Sequence, residues 1–334
     1  MVRIGLIGLG FMGRMHIAAY DKLEGAELVA VADKDPKRAA GDLSGGWGNI
    51  DGAAEQLDMT KVTGSTDFHE LINNPDVDMV DICVPTPFHE ELAVAALQAG
   101  KHVLCEKPLA MDSASAQRIA DAAEKSGRVF MPAMCMRFWP QWVWLKQAVD
   151  AGTYGKVLGA TFRRCASMPP GWFSNGELSG GAILDLHIHD TDFVYYLFGM
   201  PAAVRSAGYT KTSGKTDHIT TQYLYDDGPT FVSAEGSWCM ADGFAFTMRY
   251  TVNFENATVD FDVSRENPLI VYAGGEAEHI TLEGDGYNAE LAHLVECINA
   301  GKAPTTVTAA DAVASIRIIE AEQKSIDTGE AVKL

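Results

Sequence analysis

Residues 2–13 read Val-Arg-Ile-Gly-Leu-Ile-Gly-Leu-Gly-Phe-Met-Gly, a short apolar run that ends in three spaced glycines. Gly8, Gly10 and Gly13 match the pattern GxGxxG. In this pattern the first glycine permits a tight turn, the second lets the backbone approach a pyrophosphate, and the third lets helix and strand pack closely. A helix that begins here would direct its N-terminal N–H groups at phosphates. The stretch therefore predicts the first strand, phosphate loop and helix of a dinucleotide-binding fold.

An acidic residue ends the second apolar run, Glu27–Ala32. Asp33 follows Gly13 by about 20 residues, the spacing at which a carboxylate can bond the ribose hydroxyls of a dinucleotide. A carboxylate there also repels a 2′-phosphate, so NAD(H) is favoured over NADP(H), although the cations of Lys34, Lys37 and Arg38 weaken that preference. The alternative is that the glycines only form turns and that Asp33 caps a helix.

The rest of the first third alternates between apolar runs and stretches with helical spacing. The apolar runs are Met79–Val84, His102–Cys105 and Val129–Met131, and the helical stretches are Met12–Leu23, Glu90–Gln98 and Ser113–Lys125. This alternation predicts a doubly wound parallel sheet with helices on both faces. Gly41–Met59 interrupts it and is expected to be a surface insertion.

The pattern changes after about residue 136. Consecutive strands are predicted at Gly155–Ala166, Thr216–Tyr225, Thr230–Trp238, Phe244–Phe254 and Thr258–Val263, with turn signals such as Asp226-Asp227-Gly228-Pro229 between them. One helical stretch, Gly181–Phe198, is embedded among them, and two helices near Tyr287–Asn299 and Ala309–Asp327 close the chain. We therefore expect a Rossmann domain over residues 1–136. An α+β domain with a large, mostly antiparallel open sheet follows over 137–334, with terminal helices that can pack back on the first domain.

Composition excludes several classes of protein. The 334 residues carry a net charge of −19 at pH 7, which argues against nucleic acid or an anionic membrane surface as a partner. The six cysteines include no CxxC pair and are expected to be reduced thiols in a cytoplasmic protein. Neither a signal peptide nor an apolar run of membrane-spanning length is evident.

A charged pair and a proline follow a short strand at Glu106-Lys107-Pro108. The carboxyl ends of parallel strands form the ligand crevice, so Lys107 could reach a substrate oxygen there. Proline ends the strand and restricts the backbone of the lysine, and the Lys107–Pro108 bond could be cis or trans. The alternative is a surface Glu/Lys pair at a strand end.

The predicted helix Gly181–Phe198 carries a carboxylate and an imidazole at i and i+4. Asp185 and His189 would then share one face, which Asp192 continues. An imidazole can take the proton of an alcohol during hydride transfer, a lysine can stabilise the developing alkoxide, and a carboxylate can orient the imidazole. His187-x-His189-Asp190 also resembles the HxHxD element of metal-dependent hydrolases. On a helix, however, those two imidazoles point about 200° apart, so we expect no metal.

Taken in order, these motifs resemble the Gfo/Idh/MocA oxidoreductase family over essentially the whole chain. The similar segments are the glycine motif, Asp33, Pro85 with His89, residues 100–110 around Glu106-Lys107-Pro108, Arg137-Phe138, Gly155-Lys156-Val157, and Gly180-Gly181-Ala182-Ile183-Leu184-Asp185 with His189 and Asp192. The resemblance implies an NAD-dependent enzyme that transfers hydride between nicotinamide and a secondary alcohol or ketone of a polyol, inositol or sugar derivative. It implies Lys107, Asp185 and His189 as the catalytic trio.

Further site residues are assigned with their alternatives. The resemblance implies cofactor contacts from Gly8, Gly10, Phe11, Met12, Gly13, Asp33, Pro85, Thr86, His89, Glu106, Lys107 and Arg137. Substrate contacts are expected from Lys107, Asp185 and His189. Arg164 and Trp172 could add to them, or could instead form a salt bridge and anchor a loop. The family often has a small residue where this chain has His187, which either points into the cleft or packs behind it.

The resemblance also leaves the type of reaction and assembly open. A relative of the same family that retains NAD and works as a glycosidase is one alternative, and a non-catalytic NAD-binding regulator is another. Open sheet faces pair subunits in this family, so a homodimer or homotetramer is expected. Neither the identity and stereochemistry of the substrate nor the physiological direction follows from the sequence.

Overall fold

A computed structural model of the chain describes residues 1–48 and 52–334. These residues divide into two compact units: the first comprises Met1–Phe138 and Asp285–Val313, and the second comprises Trp139–Gly284 and Ala314–Leu334. The predicted insertion Gly41–Met59 includes residues 49–51, which lie outside the described residues. The assignment of cofactor binding to the first part of the chain and of substrate binding to the second stays a prediction.

Strands and helices alternate through the first 133 residues. They are β1 (Val2–Ile7), α1 (Phe11–Tyr20), β2 (Ala26–Ala32), α2 (Pro36–Ala39), β3 (Thr63–Ser65), α3 (Phe68–Ile72), β4 (Met79–Ile82), α4 (His89–Gln98), β5 (His102–Glu106), α5 (Ser113–Ser126) and β6 (Phe130–Ala133). Most of these strands are short apolar runs with mainly buried residues, as expected for a sheet covered on both faces, whereas the edge strand β3 is polar and mostly exposed.

The first unit contains a six-stranded parallel sheet in the order β3-β2-β1-β4-β5-β6. This is the doubly wound Rossmann order, so the predicted fold class is confirmed for this part of the chain. The strand order reverses between β1 and β4. The carboxyl ends of these two strands, at Ile7 and Ile82, therefore border the crevice in which such sheets bind ligands.

The rest of the chain contributes the elements of a second sheet and the closing helices. They are α6 (Pro140–Asp150), β7 (Val157–Ser167), α7 (Gly176–Ser179), α8 (Gly181–Asp185), α9 (Ile188–Phe198), β8 (Ala203–Tyr209), β9 (His218–Leu224), β10 (Phe231–Met240), β11 (Thr247–Phe254), β12 (Ala257–Asp262), β13 (Leu269–Ala273), β14 (Glu276–Ile280), α10 (Gly286–Ala300), α11 (Ala309–Thr328) and β15 (Val332–Lys333). No helix in the described ranges is both long and apolar enough to cross a membrane.

The second sheet has nine strands in the order β14-β13-β12-β11-β7-β10-β9-β8-β15. The pair β7–β10 is parallel and the other neighbours are antiparallel, which confirms the predicted open, mostly antiparallel sheet. The sequence analysis does not predict β8, β13, β14 or β15. The residues of β14 are mostly exposed and polar, so this edge strand lacks the apolar alternation on which such predictions rest.

An aromatic cluster fixes the helices of the second unit against its sheet. Trp142 of α6 is fully buried and packs edge-to-face on Tyr250 and Phe261, with ring centroids 5.1 and 4.6 Å away. It also meets Phe193 of α9 at 6.3 Å. Aromatic pairs in this geometry stabilise a core beyond the area they bury. The cluster thereby holds α9, which carries His189, in a defined place on the sheet.

The prediction of one continuous helix over Gly181–Phe198 is wrong, because the helix is broken at Leu186 and His187. The backbone N–H of His187 donates to the carbonyl of Ala182, five residues back, at 2.8 Å, and that of His189 donates to Leu186, three residues back, at 3.3 Å. The regular i→i−4 ladder is therefore interrupted between α8 and α9. Asp185 and His189 lie on different helices, so their i, i+4 spacing does not place them on one helical face.

Candidate active site

The turn after β1 accepts only glycine at two positions. Gly8 has φ +93°, and a Cβ there would lie 2.6 Å from the carbonyl oxygen of Cys83, which follows β4. A Cβ at Gly13 would lie 2.0 Å from the carbonyl oxygen of Gly8. Both distances are far below van der Waals contact. The glycines thus allow β1, its turn and α1 to pack together, as the motif predicts.

Gly10 plays a different part in the same turn. It immediately precedes α1, and a Cβ built there would meet no atom within 4 Å. The ten-residue helix α1 has no acidic side chain in its first turn, so nothing in that turn opposes a bound anion. Open space before a helix N-terminus is what a dinucleotide pyrophosphate requires, and the residues present therefore fit NAD.

Asp33 holds the phosphate loop from the end of β2. Its Oδ2 accepts a hydrogen bond from the backbone N–H of Leu9 at 2.7 Å, and its Oδ1 accepts one from Asp35 at 2.8 Å. The guanidinium of Arg38 donates to the carbonyl of Leu9 at 3.0 Å. A carboxylate and a guanidinium therefore both lie at this loop, where a ribose would be bound.

The loop after β4 contains Pro85 and Thr86, and a 3₁₀ turn covers Thr86–Phe88. His89 opens α4 and is almost fully buried. Its Nε2 lies 2.8 Å from the carbonyl oxygen of Val84, and its Nδ1 lies 2.9 Å from that of Pro108. Burial lowers the pKa of His89, despite these two carbonyl contacts. The imidazole therefore lies between the loop after β4 and the loop after β5, with a backbone carbonyl oxygen beside each of its nitrogens.

Glu106 ends β5, and the next peptide bond but one, Lys107–Pro108, is cis. Oε2 of Glu106 accepts a hydrogen bond from the backbone N–H of Lys107 at 3.0 Å, while the lysine residue itself is half-buried. Lys107 thus follows the carboxyl end of a strand in the same sheet as the phosphate loop, as the sequence predicts.

Arg137 lies in a 3₁₀ turn after β6 and is almost fully buried. Its Nη1 donates to the carbonyl of Thr306 at 2.9 Å and lies 3.2 Å from a carboxylate oxygen of Asp311. Both partners belong to the C-terminal part of the first unit. The guanidinium therefore fastens that returning segment, a role that the sequence analysis did not consider.

In the second unit, Asp185 is the last residue of α8 and is buried, whereas His189 lies in the first turn of α9 and is half-buried. Gly180 and Gly181, at the start of α8, are packed closely inside the unit. A Cβ at Gly180 would lie within 2.4 Å of Leu184, and one at Gly181 within 2.7 Å of the carbonyl oxygen of Thr216.

Arg164 and Trp172 have partners inside the second unit. Arg164 is 4% exposed, and its Nε and Nη2 lie 3.0 and 3.2 Å from the two carboxylate oxygens of Asp190. Trp172 stacks on Phe173 at 4.2 Å, and Phe173 packs on Trp238. Of the two roles that the sequence left open for each residue, the geometry favours an internal ion pair for Arg164 and loop anchoring for Trp172.

His187, whose direction the sequence left open, packs in the interior of the second unit. Its Nε2 lies 3.4 Å from the hydroxyl of Tyr223 and 3.5 Å from a carboxylate oxygen of Glu322. A Cβ at Gly236 would lie 2.8 Å from its ring, so only glycine leaves space for this imidazole. Of the two directions that the sequence left open for His187, the geometry favours packing in the interior of this unit.

Sequence reasoning missed a buried polar cluster in the first unit. His16, Asp81 and Glu290 are all fully buried, on α1, β4 and α10. Ligand atoms of His16, Asp81 and Cys83 lie within 4.8 Å of one another. Among the described residues, these three form a group that could hold a metal ion. Two features of the sequence could have indicated this cluster: a histidine three residues after Gly13, and an aspartate within the apolar run of β4.

Comparison with known proteins gives the same two parts. Residues 2–134 match the model of an oxidoreductase family with an NAD-binding Rossmann fold, and residues 142–260 match a GFO/IDH/MocA C-terminal domain. The chain is 29% identical to a myo-inositol 2-dehydrogenase of Thermotoga maritima over 100% of this chain and 98% of that protein.

Two further proteins extend the comparison. A scyllo-inositol 2-dehydrogenase (NAD(+)) of Bacillus subtilis is 27% identical over 100% of this chain and 96% of its own length. The crystal structure of an aldose-aldose oxidoreductase from Caulobacter crescentus, complexed with glycerol, superposes with a TM-score of 0.84 at 25% identity. That superposition covers 100% of this chain and 99% of the other.

Proposed function

This chain belongs to the Gfo/Idh/MocA family of NAD-dependent oxidoreductases, and from that premise we propose that it oxidises a secondary hydroxyl of an inositol or a related cyclic polyol or sugar. Full-length similarity to two inositol 2-dehydrogenases supports this substrate class. The similarity to an aldose-aldose oxidoreductase is consistent with the wider class of sugars.

The observation that carries the proposal is the joining of three loops at one edge of the parallel sheet. The turn at Gly8 touches the backbone of Cys83 after β4, and His89 connects the loop after β4 to the loop that contains Lys107 and Pro108. A phosphate loop and a lysine are therefore held at the same carboxyl edge, where dinucleotide and substrate meet in such sheets. NAD, when bound there, supplies the hydride acceptor.

We propose cofactor contacts at this edge from the phosphate loop and from the loops after β2, β4 and β5. The residues are Gly8, Gly10, Phe11, Met12, Gly13, Asp33, Pro85, Thr86, Glu106 and Lys107. His89 supports the loops after β4 and β5 through its contacts with two backbone carbonyls, and Arg137 fastens the returning segment at Thr306 and Asp311. The carboxylate of Asp33 favours NAD over NADP because it repels a 2′-phosphate.

Three side chains are proposed to carry the proton chemistry. His189 takes the proton of the substrate hydroxyl, because an imidazole titrates near neutral pH. Asp185 orients that imidazole and stabilises its protonated form. Lys107 donates a hydrogen bond to the same oxygen and stabilises the charge that develops on it during hydride loss. Substrate contacts come from these same three residues.

The decisive experiment is a substrate panel. Purified protein is mixed with NAD and with individual inositols, sugars and sugar acids, and the absorbance of NADH is recorded. We expect turnover with at least one inositol or cyclic sugar and loss of that turnover in Lys107→Ala. Protein that retains NAD through dialysis and hydrolyses glycosides without net NADH formation would instead identify a glycosidase.

We also propose an assembly and a cellular compartment. The nine-stranded sheet exposes Phe231 and Tyr272, which a second copy of the chain would cover, so a homodimer or homotetramer is proposed. All six cysteines are free, which agrees with a reducing, cytoplasmic environment. Light scattering of the protein as it elutes from a size-exclusion column measures its molar mass and so tests the proposed oligomer.

A further inference from the structure

The proposed chemistry does not use a cluster of ionisable side chains in the interior of the first unit. It consists of His16 and Tyr20 on α1, Asp81 and Cys83 at β4, Glu106 at the end of β5, and Tyr287 and Glu290 on α10. We call it the His16 cluster. A parallel sheet interior is normally apolar, and polar groups there are costly unless they are paired, so the cluster requires an explanation.

The imidazole of His16 lies between two carboxyl groups. Its Nδ1 is 2.8 Å from Oδ2 of Asp81, and its Nε2 is 3.2 Å from Oε1 of Glu106. The second contact is an ion-pair distance without the geometry of a directed hydrogen bond. A neutral imidazole carries a hydrogen on one nitrogen, whereas an imidazolium presents one at each. Only Nδ1 makes a directed hydrogen bond, but two carboxylates at these distances favour the charged imidazolium by their negative charge.

The surroundings favour that charge as well. Burial alone would lower the pKa of His16, but Cys83 and Asp81 outweigh it and hold the pKa well above its ordinary value. Burial raises the pKa of the Cys83 thiol, whose Sγ lies 3.4 Å from Nδ1 of His16. Asp81 is itself fixed, because Tyr20 donates to its Oδ2 at 2.8 Å and Cys83 donates to its Oδ1 at 3.4 Å.

Glu290 completes the balance of charge. Its two carboxyl oxygens are buried and have no hydrogen-bond partner, and burial followed by the charge of Glu106 raises its pKa well above the ordinary range. Burial therefore favours the protonated, uncharged form of Glu290. One cation at His16 then faces Asp81 and Glu106, rather than three carboxylates.

The two oxygens of Glu106 connect this cluster to the proposed active site. Oε1 faces the ring of His16, and Oε2 accepts the backbone N–H of Lys107. His16 stands three residues after Gly13 on the helix that begins at the phosphate loop. A continuous path thus runs from α1 through the imidazole and the Glu106 carboxylate to the backbone of Lys107.

We infer that His16 is a positioning residue for Lys107: as a buried cation between Asp81 and Glu106, it fixes Glu106 and so sets the place of the lysine relative to the phosphate loop. The inference rests on the proposed catalytic role of Lys107. His16 does not touch substrate, and its effect is transmitted through the Glu106 carboxylate. Small displacements of a catalytic group are enough to matter, since about 1 Å can cost about 100-fold in rate.

Two NMR measurements on the full-length protein test the inference without relying on activity. In wild type, the ¹⁵N shifts of His16 should show both ring nitrogens protonated above about pH 6.5, where an ordinary histidine is neutral, and Glu106→Gln should lower the pKa of this histidine. In His16→Gln, the NMR signal of the Lys107 amine should move from its wild-type position. This amine is observed after ¹³C-dimethylation and is assigned with Lys107→Arg. His69→Gln, an exposed histidine of the same unit, is the matched control and should leave both measurements unchanged.

Kinetics add a second readout. With a substrate from the panel, His16→Gln should lower kcat about tenfold and shift its pH profile, while KM for NAD changes by less than about threefold. Two results in wild type would overturn the inference: a neutral His16 at pH 7, or a stoichiometric metal bound by His16, Asp81 and Cys83. An unchanged Lys107 signal in folded His16→Gln would overturn it as well. If His16→Gln does not fold, the wild-type and Glu106→Gln titrations decide alone. Full activity of Lys107→Ala would refute the proposed function, whereas the NMR titrations would still report the coupling.

Discussion

Oδ2 of Asp33 accepts the backbone N–H of Leu9 at 2.7 Å, so the same carboxylate that is proposed to select the cofactor also holds the phosphate loop. Charge and loop geometry can be separated by substitution. Asp33→Asn keeps an oxygen acceptor for Leu9 but removes the charge, whereas Asp33→Ser shortens the side chain as well. Because the charge opposes a 2′-phosphate, Asp33→Asn should narrow the preference for NAD over NADP.

The measurement is kcat/KM with each cofactor for wild type and both variants. Asp33→Ser combined with Lys34→Arg should narrow the preference further or reverse it. A wild-type enzyme that strongly prefers NADP would show that this interpretation of Asp33 is wrong.

The proposed trio makes a kinetic prediction. Lys107→Ala and His189→Ala should each lower kcat by about 100-fold or more, the usual scale for a positioned acid–base group. The dissociation constant for NAD, measured by fluorescence titration, should change little because the phosphate loop is intact. Asp185→Asn should shift the pH dependence of oxidation, since His189 loses the carboxylate that supports its protonated form. Near-normal kcat and pH profile in His189→Ala would make Lys107 the first candidate for the base, and two active alanine variants would place the site elsewhere.

Two neighbouring arginines offer a matched test of burial. Arg164 and its partner Asp190 are almost fully buried, whereas Arg163 and Glu235 form a partly exposed pair. Arg164→Ala leaves a buried carboxylate without its cation and should lower the free energy of unfolding by about 3–5 kcal/mol. Arg163→Ala should cost about 0–1 kcal/mol. Urea unfolding measures both. If Arg164→Ala is as stable as wild type but has a raised KM for the substrate, the residue binds substrate instead.

The buried acid Glu290 predicts a pH dependence of stability. Because its folded pKa is raised above the unfolded value, its stabilising contribution is complete below about pH 4.3 and is lost as pH rises towards the folded pKa. The slope for one such group is at most about 1.4 kcal/mol per pH unit. Glu290→Gln does not titrate, so its advantage over wild type in urea unfolding should grow between pH 5 and pH 8. A constant difference across this range would show that Glu290 does not titrate as described.

Chelation tests the remaining alternative chemistry. The proposed hydride transfer needs protein groups and nicotinamide, and His187 is turned into the interior towards Tyr223 and Glu322. Activity should therefore survive exhaustive dialysis against EDTA, checked by elemental analysis of the protein. Activity that is lost and then restored by zinc would favour the metal-hydrolase interpretation.

The sequence by itself determined the features that depend on local spacing. Gly8, Gly10 and Gly13 predict the phosphate turn because their spacing matches a tight turn that opens directly into α1, although the contact that requires Gly8 is made with Cys83 after β4. Alternating apolar runs predict the parallel sheet because fully buried strands require them. Lys107 could be placed at a carboxyl edge for the same reason, since it directly follows β5.

Tertiary structure decided the features that depend on partners distant in the chain. The helix is broken between Asp185 and His189, where His187 is buried beside Gly236, Tyr223 and Glu322. Helical periodicity in the sequence does not reveal these neighbours. Arg164 forms a buried ion pair because the fold places Asp190, 26 residues along the chain, opposite it. The His16 cluster likewise draws its members from α1, β4, β5 and α10. Spacing along a chain predicts which residues can share a local element, but the burial and charge of a side chain are set by residues that only the folded sheet brings next to it.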